Sequence, residues 1–202
     1  MNILLVLRTL GNLLVLLSGI LIIPFVVSIC YGTKEEIWAF AITIISSGIT
    51  GLALKFFLKP KSEDITIREG LAIVTFWWMS CALFGALPYW FSGACDTFCD
   101  SYFESMSGFT TTGASIFNDI EALPHGILFW RSLTQWLGGM GIVVFFVAVL
   151  PTIGVGGHKL FSAEAPDLTT AKIKQRLAQT AKILRVIYLS LTAILLPFLC
   201  IW

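Results

Sequence analysis

Charge is scarce in this chain: Asp, Glu, Lys and Arg together make up 12% of the residues, and the mean hydropathy is +0.88. That excludes an ordinary water-soluble domain and leaves lipid as the solvent the composition calls for. A net charge of +1 provides no extended basic surface, which excludes nucleic-acid binding driven by counterion release. The two histidines, His125 and His158, stand apart at a loop end and in a turn, and both read as solvated residues without ligand partners. Of the five cysteines, Cys30, Cys81 and Cys200 lie in apolar runs, where a thiol behaves as a small hydrophobe. Cys95 and Cys99 share a polar stretch, and their spacing could put them on one helical face. They form either a metal pair or two unpaired thiols, with no histidine or further cysteine nearby to complete a site. The apolar stretches lack paired carboxylates and Ser/His sets, so the chain is not read as an enzyme and no cofactor is expected. The first apolar run continues through Cys30 without a small-residue cleavage signature, which makes it a span and not an export signal.

What is abundant is apolar length. A bilayer-spanning helix needs about 20 mostly apolar residues, and four stretches qualify. The first is Ile3 to Tyr31, with Pro24 as its expected kink; the second is Ile37 to Leu58, closed by Lys55, Lys59, Pro60 and Lys61. The third, Glu69 to Phe91, contains Trp77, Trp78 and Pro88 and ends in Tyr89 and Trp90, which suit a headgroup interface. The fourth is His125 to Leu150, where Pro151 is expected to end it. After a turn at Gly154 to Gly157, a helix-compatible segment from Asp167 to Arg185 carries Lys172, Lys174, Arg176, Lys182 and Arg185 and runs into a last apolar stretch, Val186 to Trp202. Loops rich in Lys and Arg stay in the cytoplasm. If the four spans alternate, Arg8, the group from Lys55 to Arg68 and the group from Lys159 to Arg185 share one face, and Lys34 alone, Arg131 aside, falls on the other. The N-terminus is therefore expected inside, with residues 92 to 124 opening outward.

That outward segment is too polar and too rich in Gly, Ser and Thr to cross a membrane as a helix. Asp96 to Phe109 reads as a short helix that dips back into the membrane, with Phe98, Tyr102, Phe103 and Met106 as its apolar surface, followed by Thr110-Thr111-Thr112-Gly113-Ala114-Ser115. Irregular backbone at membrane depth survives only when it is buried in protein or lines a watery cavity. An extended Thr-Thr-Thr-Gly run lining such a cavity offers carbonyl oxygens in place of an ion's hydration shell. The β-branched threonines favour extended geometry and anchor the strand from behind, and the glycine permits the required angles. The negative end of the short helix's dipole, near Phe109, favours a cation. The order span, short helix, Thr-Thr-Thr-Gly, span favours an ion-conducting re-entrant loop over an ordinary extracellular one.

The string Phe103-Glu104-Ser105-Met106-Ser107-Gly108-Phe109-Thr110-Thr111-Thr112-Gly113-Ala114-Ser115 resembles the first pore loop of the TrkH/TrkG/KtrB family of potassium-uptake proteins. Phe129-Trp130-Arg131-Ser132-Leu133-Thr134-Gln135-Trp136-Leu137-Gly138-Gly139-Met140-Gly141 resembles the helix that follows it there. With the two extra N-terminal spans, the likeness covers the chain and is strongest to the TrkH branch. The resemblance implies four span/pore-loop/span repeats around one pathway in the bacterial inner membrane, each donating one filter strand. On the matching positions, Thr111 and Thr112 offer carbonyl oxygens to potassium, the substrate, while Thr110 extends the strand and Gly113 is the filter glycine. It also implies a homodimer of the full-length protein and a TrkA-type cytoplasmic nucleotide-binding regulatory subunit, which would meet the inner face near Lys172 to Arg185. Channel-like diffusion and symport with another ion both stay open.

The expected fold class is thus an all-α membrane protein: two N-terminal transmembrane helices (1–66), a helix/pore-loop/helix repeat (67–151), a cytoplasmic loop and basic helix (152–185), and the start of a second repeat (186–202). Leu195-Leu196-Pro197-Phe198 echoes Ala86-Leu87-Pro88-Tyr89, so the second repeat stops before a loop of its own. A truncated form without transport of its own is expected, with a structural or regulatory membrane subunit as the alternative.

Arg131 sits about two turns into an apolar helix, where a charge is costly unless paired or wetted. Glu104 is its expected partner, bracing the filter from outside; the alternative is that Arg131 snorkels to the interface near His125. Gly138, Gly139 and Gly141 are expected to allow close helix packing. Trp77, Trp78, Trp130 and Trp136 are expected to face lipid or its interface.

Overall fold

The computed structural model describes residues 2–58, 60, 67–153 and 166–201. Its elements are all α-helices: α1 (Ile3–Ile20), α2 (Ile22–Tyr31), α3 (Lys34–Phe57), α4 (Ile67–Phe91), α5 (Phe98–Phe109), α6 (His125–Ile153) and α7 (Pro166–Ile201). Among the described residues, three helical runs are long and apolar enough to cross a membrane: Ile3–Tyr31, Lys34–Phe57 and Arg68–Phe91. The chain is an all-α, multi-pass membrane protein. It divides into two compact units, residues 1–138 and 139–202. Lys59, Lys61, the turn Gly154 to Gly157, His158 and Lys159 lie outside the described residues.

In the first unit, the helix starts follow from capping chemistry. The first amides of a helix have no partner within it and need a side-chain acceptor. Asn2 supplies one for α1, accepting from the Leu5 N–H at 3.3 Å. Thr33 and Glu36 form a reciprocal capping box, with the Thr33 N–H donating to Glu36 Oε1 at 2.9 Å. The box starts α3 at Lys34, three residues ahead of the expected Ile37. The first run breaks at Leu21 and not at Pro24. Proline has no N–H to offer the carbonyl one turn back, so the break falls upstream of it, and the helix resumes with Pro24 in its first turn, where the missing donor costs nothing. Pro151 does not end α6, whose backbone stays helical to Ile153, and Pro88 likewise sits inside α4. Membrane helices tolerate proline because neighbouring groups serve the freed carbonyl.

Two long-range bonds set the order of the spans. The Asn2 N–H donates to Glu69 Oε1 at 2.6 Å, joining the starts of α1 and α4, and the Gly126 N–H donates to Glu36 Oε2 at 2.9 Å, joining the starts of α6 and α3. Starts of the first and third spans thus meet, as do those of the second span and α6, the pattern that alternating helices produce. At the crossing of α1 and α3, a β-carbon on Gly11 would lie 2.8 Å from the Gly51 carbonyl oxygen, and one on Gly51 equally close to that of Gly11. The two backbones touch because neither residue has a side chain.

The core of this unit gathers Leu14, Leu17, Leu21, Phe40, Cys81, Tyr89, Phe109, Ile127 and Trp130. Two of these correct the sequence expectation: Trp130 and Tyr89 are fully buried instead of interfacial. Trp130 can be buried because its indole N–H donates to the Gly85 carbonyl at 3.0 Å and its ring meets Phe40 and Phe109 edge-on, at 6.5 and 6.0 Å. Trp77 and Trp78 are half-buried against the same core, and Trp136 is half-buried too.

The second unit holds the rest of α6 and α7. A β-carbon on Gly139 would lie 2.7 Å from the Tyr188 hydroxyl oxygen, so small size is needed there. The helix α7 runs unbroken from Pro166 through Pro197 and carries Lys182 and Arg185 on its exposed surface. The side chains of Lys172, Lys174 and Arg176 lie outside the described residues.

Candidate functional site: a capped short helix and its loop

The short helix α5 begins at Phe98, two residues later than the sequence reading placed it, because Thr97 caps it: its side chain accepts from the Asp100 N–H at 3.1 Å and donates to the Asp100 carboxylate at 2.7 Å. Cys95 therefore precedes the helix and is buried, whereas Cys99 is exposed on it, so the two do not share a helical face. Burial pushes the Cys95 thiol above its ordinary range. Among the described residues, no group of three His, Cys, Asp or Glu side chains is placed to hold a metal ion.

The helix α5 is turned inside out relative to its expected orientation. Its buried face is small or polar, Ser101, Glu104, Ser105, Ser107 and Gly108 together with Phe109, while Phe103 is exposed and Phe98, Tyr102 and Met106 are only half-buried. Small residues let it descend between its neighbours. A β-carbon on Gly108 would overlap the Thr134 hydroxyl, and one on Gly138 would overlap the Phe109 carbonyl. Gly138 lies thirteen residues into α6, so the end of α5 sits about 20 Å along that helix from its start.

The loop departs from a plain extended strand at its first residues. The Thr111 N–H donates to the Gly108 carbonyl at 3.0 Å, and the Thr112 N–H donates to the Ser107 carbonyl at 3.0 Å. With Thr110 as the C-cap, this pair of bonds is a Schellman motif, which requires a left-handed residue in the place Thr111 occupies. Thr111 has φ of 56°, and Gly113 has φ of 74°. Capping of the helix's orphan carbonyls overrides the extended preference of a β-branched residue, at a cost of about 1–2 kcal/mol of backbone strain. A peptide's carbonyl points opposite to the N–H across the same bond. Because the Thr111 and Thr112 amides turn back into α5, the Thr110 and Thr111 carbonyls turn away from it. Thr110 anchors the segment from behind, its hydroxyl donating to the Met106 carbonyl at 2.8 Å, but the Thr111 hydroxyl donates to the Thr110 carbonyl at 2.7 Å on the exposed side. Thr111, Thr112, Gly113 and Ala114 are exposed within this chain.

The far arm of the loop is tied to Glu104. This carboxylate is 1% exposed and accepts from Arg131 Nε at 2.7 Å, from the Ser115 hydroxyl at 3.1 Å and from the Ile116 N–H at 3.2 Å. The Ser107 hydroxyl donates to the Ala114 carbonyl at 2.6 Å. Arg131 thus turns toward Glu104 and not out to the interface near His125. Sequence reasoning missed Ser107, Thr134 and Glu36. For Glu36, the spacing Thr33-x-x-Glu36 was a readable capping signal, but its bond to Gly126 has no local signature.

Fold and site together define a multi-pass membrane protein that holds a short capped helix and its loop between two long helices. The sequence profile of the family described as "TrkH: Cation transport protein" matches residues 36–202, and the chain belongs to that family. It is similar to the Trk system potassium uptake protein TrkH of Escherichia coli (strain K12), 42% identical over 187 residues, covering 92% of this chain and 38% of that one. It is also similar to the Trk system potassium uptake protein TrkG of the same organism, at 34% identity over 180 residues, covering 88% of this chain and 37% of the relative. The crystal structure of the potassium transporter TrkH from Vibrio parahaemolyticus superimposes with a TM-score of 0.78 at 34% identity, covering 96% of this chain and 38% of that chain. This chain therefore spans little more than a third of the relatives it matches.

Proposed function

We propose that this chain contributes one cation-coordinating loop, residues 110–113, to a potassium-uptake protein of the bacterial inner membrane. The observation that carries the reading is the Schellman cap at the end of α5. It directs the Thr110 and Thr111 carbonyls away from the helix, on an exposed face, about 20 Å along α6 from its start. Positive φ at Thr111 and at Gly113, with negative φ at Thr110, favours bringing successive carbonyls to one side, whereas a regular strand alternates them. The helix dipole adds negative potential at the end of α5, beside those oxygens. In this reading Thr110, Thr111, Thr112 and Gly113 offer backbone oxygens to potassium, with Thr111 and Thr112 nearest the ion, and the Glu104–Arg131 pair supports the loop from behind. Apart from the buried Glu104, which Arg131 neutralises, residues 92–124 carry Asp96, Asp100, Asp119 and Glu121 and no lysine or arginine, which favours attraction of cations to that face.

One loop supplies ligands from one side, so the transport proposed here belongs to an assembly with all four loops. The distribution of basic residues favours an N-terminus in the cytoplasm. Family likeness supports a homodimer and a TrkA-type regulatory subunit at the cytoplasmic face, where Lys182 and Arg185 are exposed. The test is a chimera in which these 202 residues replace the matching segment of Escherichia coli TrkH, expressed in cells starved of potassium. Uptake of potassium or rubidium is expected, with discrimination against sodium reduced by Gly113→Ala. Absence of uptake by a chimera present in the membrane at normal abundance would overturn the reading.

A further inference from the structure

We infer that α3, which lies outside the helix/loop/helix repeat, sets the geometry of the 110–116 loop, with Glu36 and Phe40 as its positioning residues. The inference rests on the loop being the cation site proposed above.

The polar route starts at Glu36, which is 1% exposed. Its Oε1 accepts the Thr33 N–H at 2.9 Å and its Oε2 accepts the Gly126 N–H at 2.9 Å, so one side chain fixes the start of α3 against the start of α6. Two glycines make room for it. A β-carbon on Gly32 would lie 2.9 Å from Oε1, and one on Gly126 would lie 2.6 Å from Oε2 and overlap the Ser28 hydroxyl. Five residues beyond Gly126, about 7.5 Å along a rigid helix, Arg131 grips Glu104, which holds Ser115 and Ile116.

The apolar route starts one turn further along α3. Phe40 is fully buried and meets Trp130 edge-on at 6.5 Å, and Trp130 meets Phe109 edge-on at 6.0 Å. Phe109 immediately precedes the loop. Both routes pass through α6, one ending before Thr110 and the other after Ala114. Between those anchors Thr111 to Ala114 are exposed within the chain and, among the described residues, are tied only to the end of α5, through the Thr111 and Thr112 amides and the Ala114 carbonyl. The placement of their carbonyls therefore follows Phe109 on one side and Ile116 on the other. Ion coordination tolerates displacements of only about 0.5 Å, so α3 acts on selection without touching the ion.

Two readouts separate this inference from the reading beneath it. In the 202-residue chain in lipid nanodiscs, Glu36→Ala and Phe40→Ala are expected to speed hydrogen exchange at the Thr111, Thr112 and Ile116 amides by about tenfold. Ile45→Ala, on the exposed face of α3, is expected to leave them unchanged. Loop amides that exchange at the wild-type rate in both α3 variants would overturn the inference whatever the chain transports. In the TrkH chimera, Glu36→Ala is expected to raise the rubidium KM about tenfold and to narrow discrimination against sodium, per molecule present in the membrane. Reduced abundance with unchanged KM and unchanged discrimination would mean that Glu36 only stabilises the fold, and would also overturn it. Where Glu36→Ala fails to accumulate, Glu36→Gln, which keeps the volume and one acceptor oxygen, takes its place in both measurements. A silent parent chimera would count against the transport reading alone, and the exchange result would stand.

Discussion

Arg131 on α6 donates to Glu104 on α5 at 2.7 Å, and through that carboxylate it reaches Ser115 and Ile116 on the returning arm of the loop. Removing the guanidinium would leave a buried carboxylate without its counter-charge. Arg131→Met is therefore expected to cost about 3–5 kcal/mol, and the double variant Arg131→Met with Glu104→Met to recover most of that. Thermal unfolding of the detergent-solubilised chain reads both. Equal unfolding temperatures for the single and double variants would show that the carboxylate left without its counter-charge carries no penalty.

Thr111 holds a left-handed conformation that suits glycine better. Thr111→Gly is expected to raise stability by about 1 kcal/mol by relieving that strain. In the chimera, the same change should weaken discrimination between potassium and sodium, since the loop loses a conformational restraint. A variant less stable than the parent would mean that the threonine side chain contributes more than its backbone strain costs.

Gly108 and Gly138 are where α5 packs on α6. A methyl group at either has nowhere to go, against the Thr134 hydroxyl in one case and the Phe109 carbonyl in the other. Gly108→Ala and Gly138→Ala are each expected to cost about 1–3 kcal/mol. In Gly108→Ala, adding Thr134→Ala should restore part of the loss, which the same unfolding experiment would detect.

Cysteine reactivity gives an inexpensive check on the local geometry ahead of α5. Cys30 and Cys99 are exposed, whereas Cys81 and Cys95 are buried, and burial also holds the Cys95 thiol in its neutral form. Maleimide labelling of the folded chain at neutral pH, read by peptide mass spectrometry, should modify Cys30 and Cys99 and spare Cys81 and Cys95 until denaturant is added. Prompt labelling of Cys95 would contradict the packing described.

Much of the architecture was legible because membrane helices are long and apolar, and because a charge inside one needs a partner. That reasoning led from Arg131 to Glu104 without any coordinates. It failed where a tertiary contact reversed a local preference. The propensity of threonine for extended backbone pointed to a strand, but satisfying the carbonyls of Ser107 and Gly108 requires a left-handed turn at Thr111. Aromatic residues near span ends suggested an interface, yet the carbonyl of Gly85 gives Trp130 a buried partner for its N–H. The apolar side chains of α5 suggested its buried face, but close approach to α4 and α6 selects the serines and Gly108 instead.

The contact between Gly126 and Glu36 also has a bearing on biogenesis. The two residues are 90 positions apart in the chain, so on a translating ribosome the α1–α3 hairpin, interlocked at Gly11 and Gly51, is complete long before its remote amide exists. The bond can form only once α6 has docked, which makes it a closing step in assembly of the first unit.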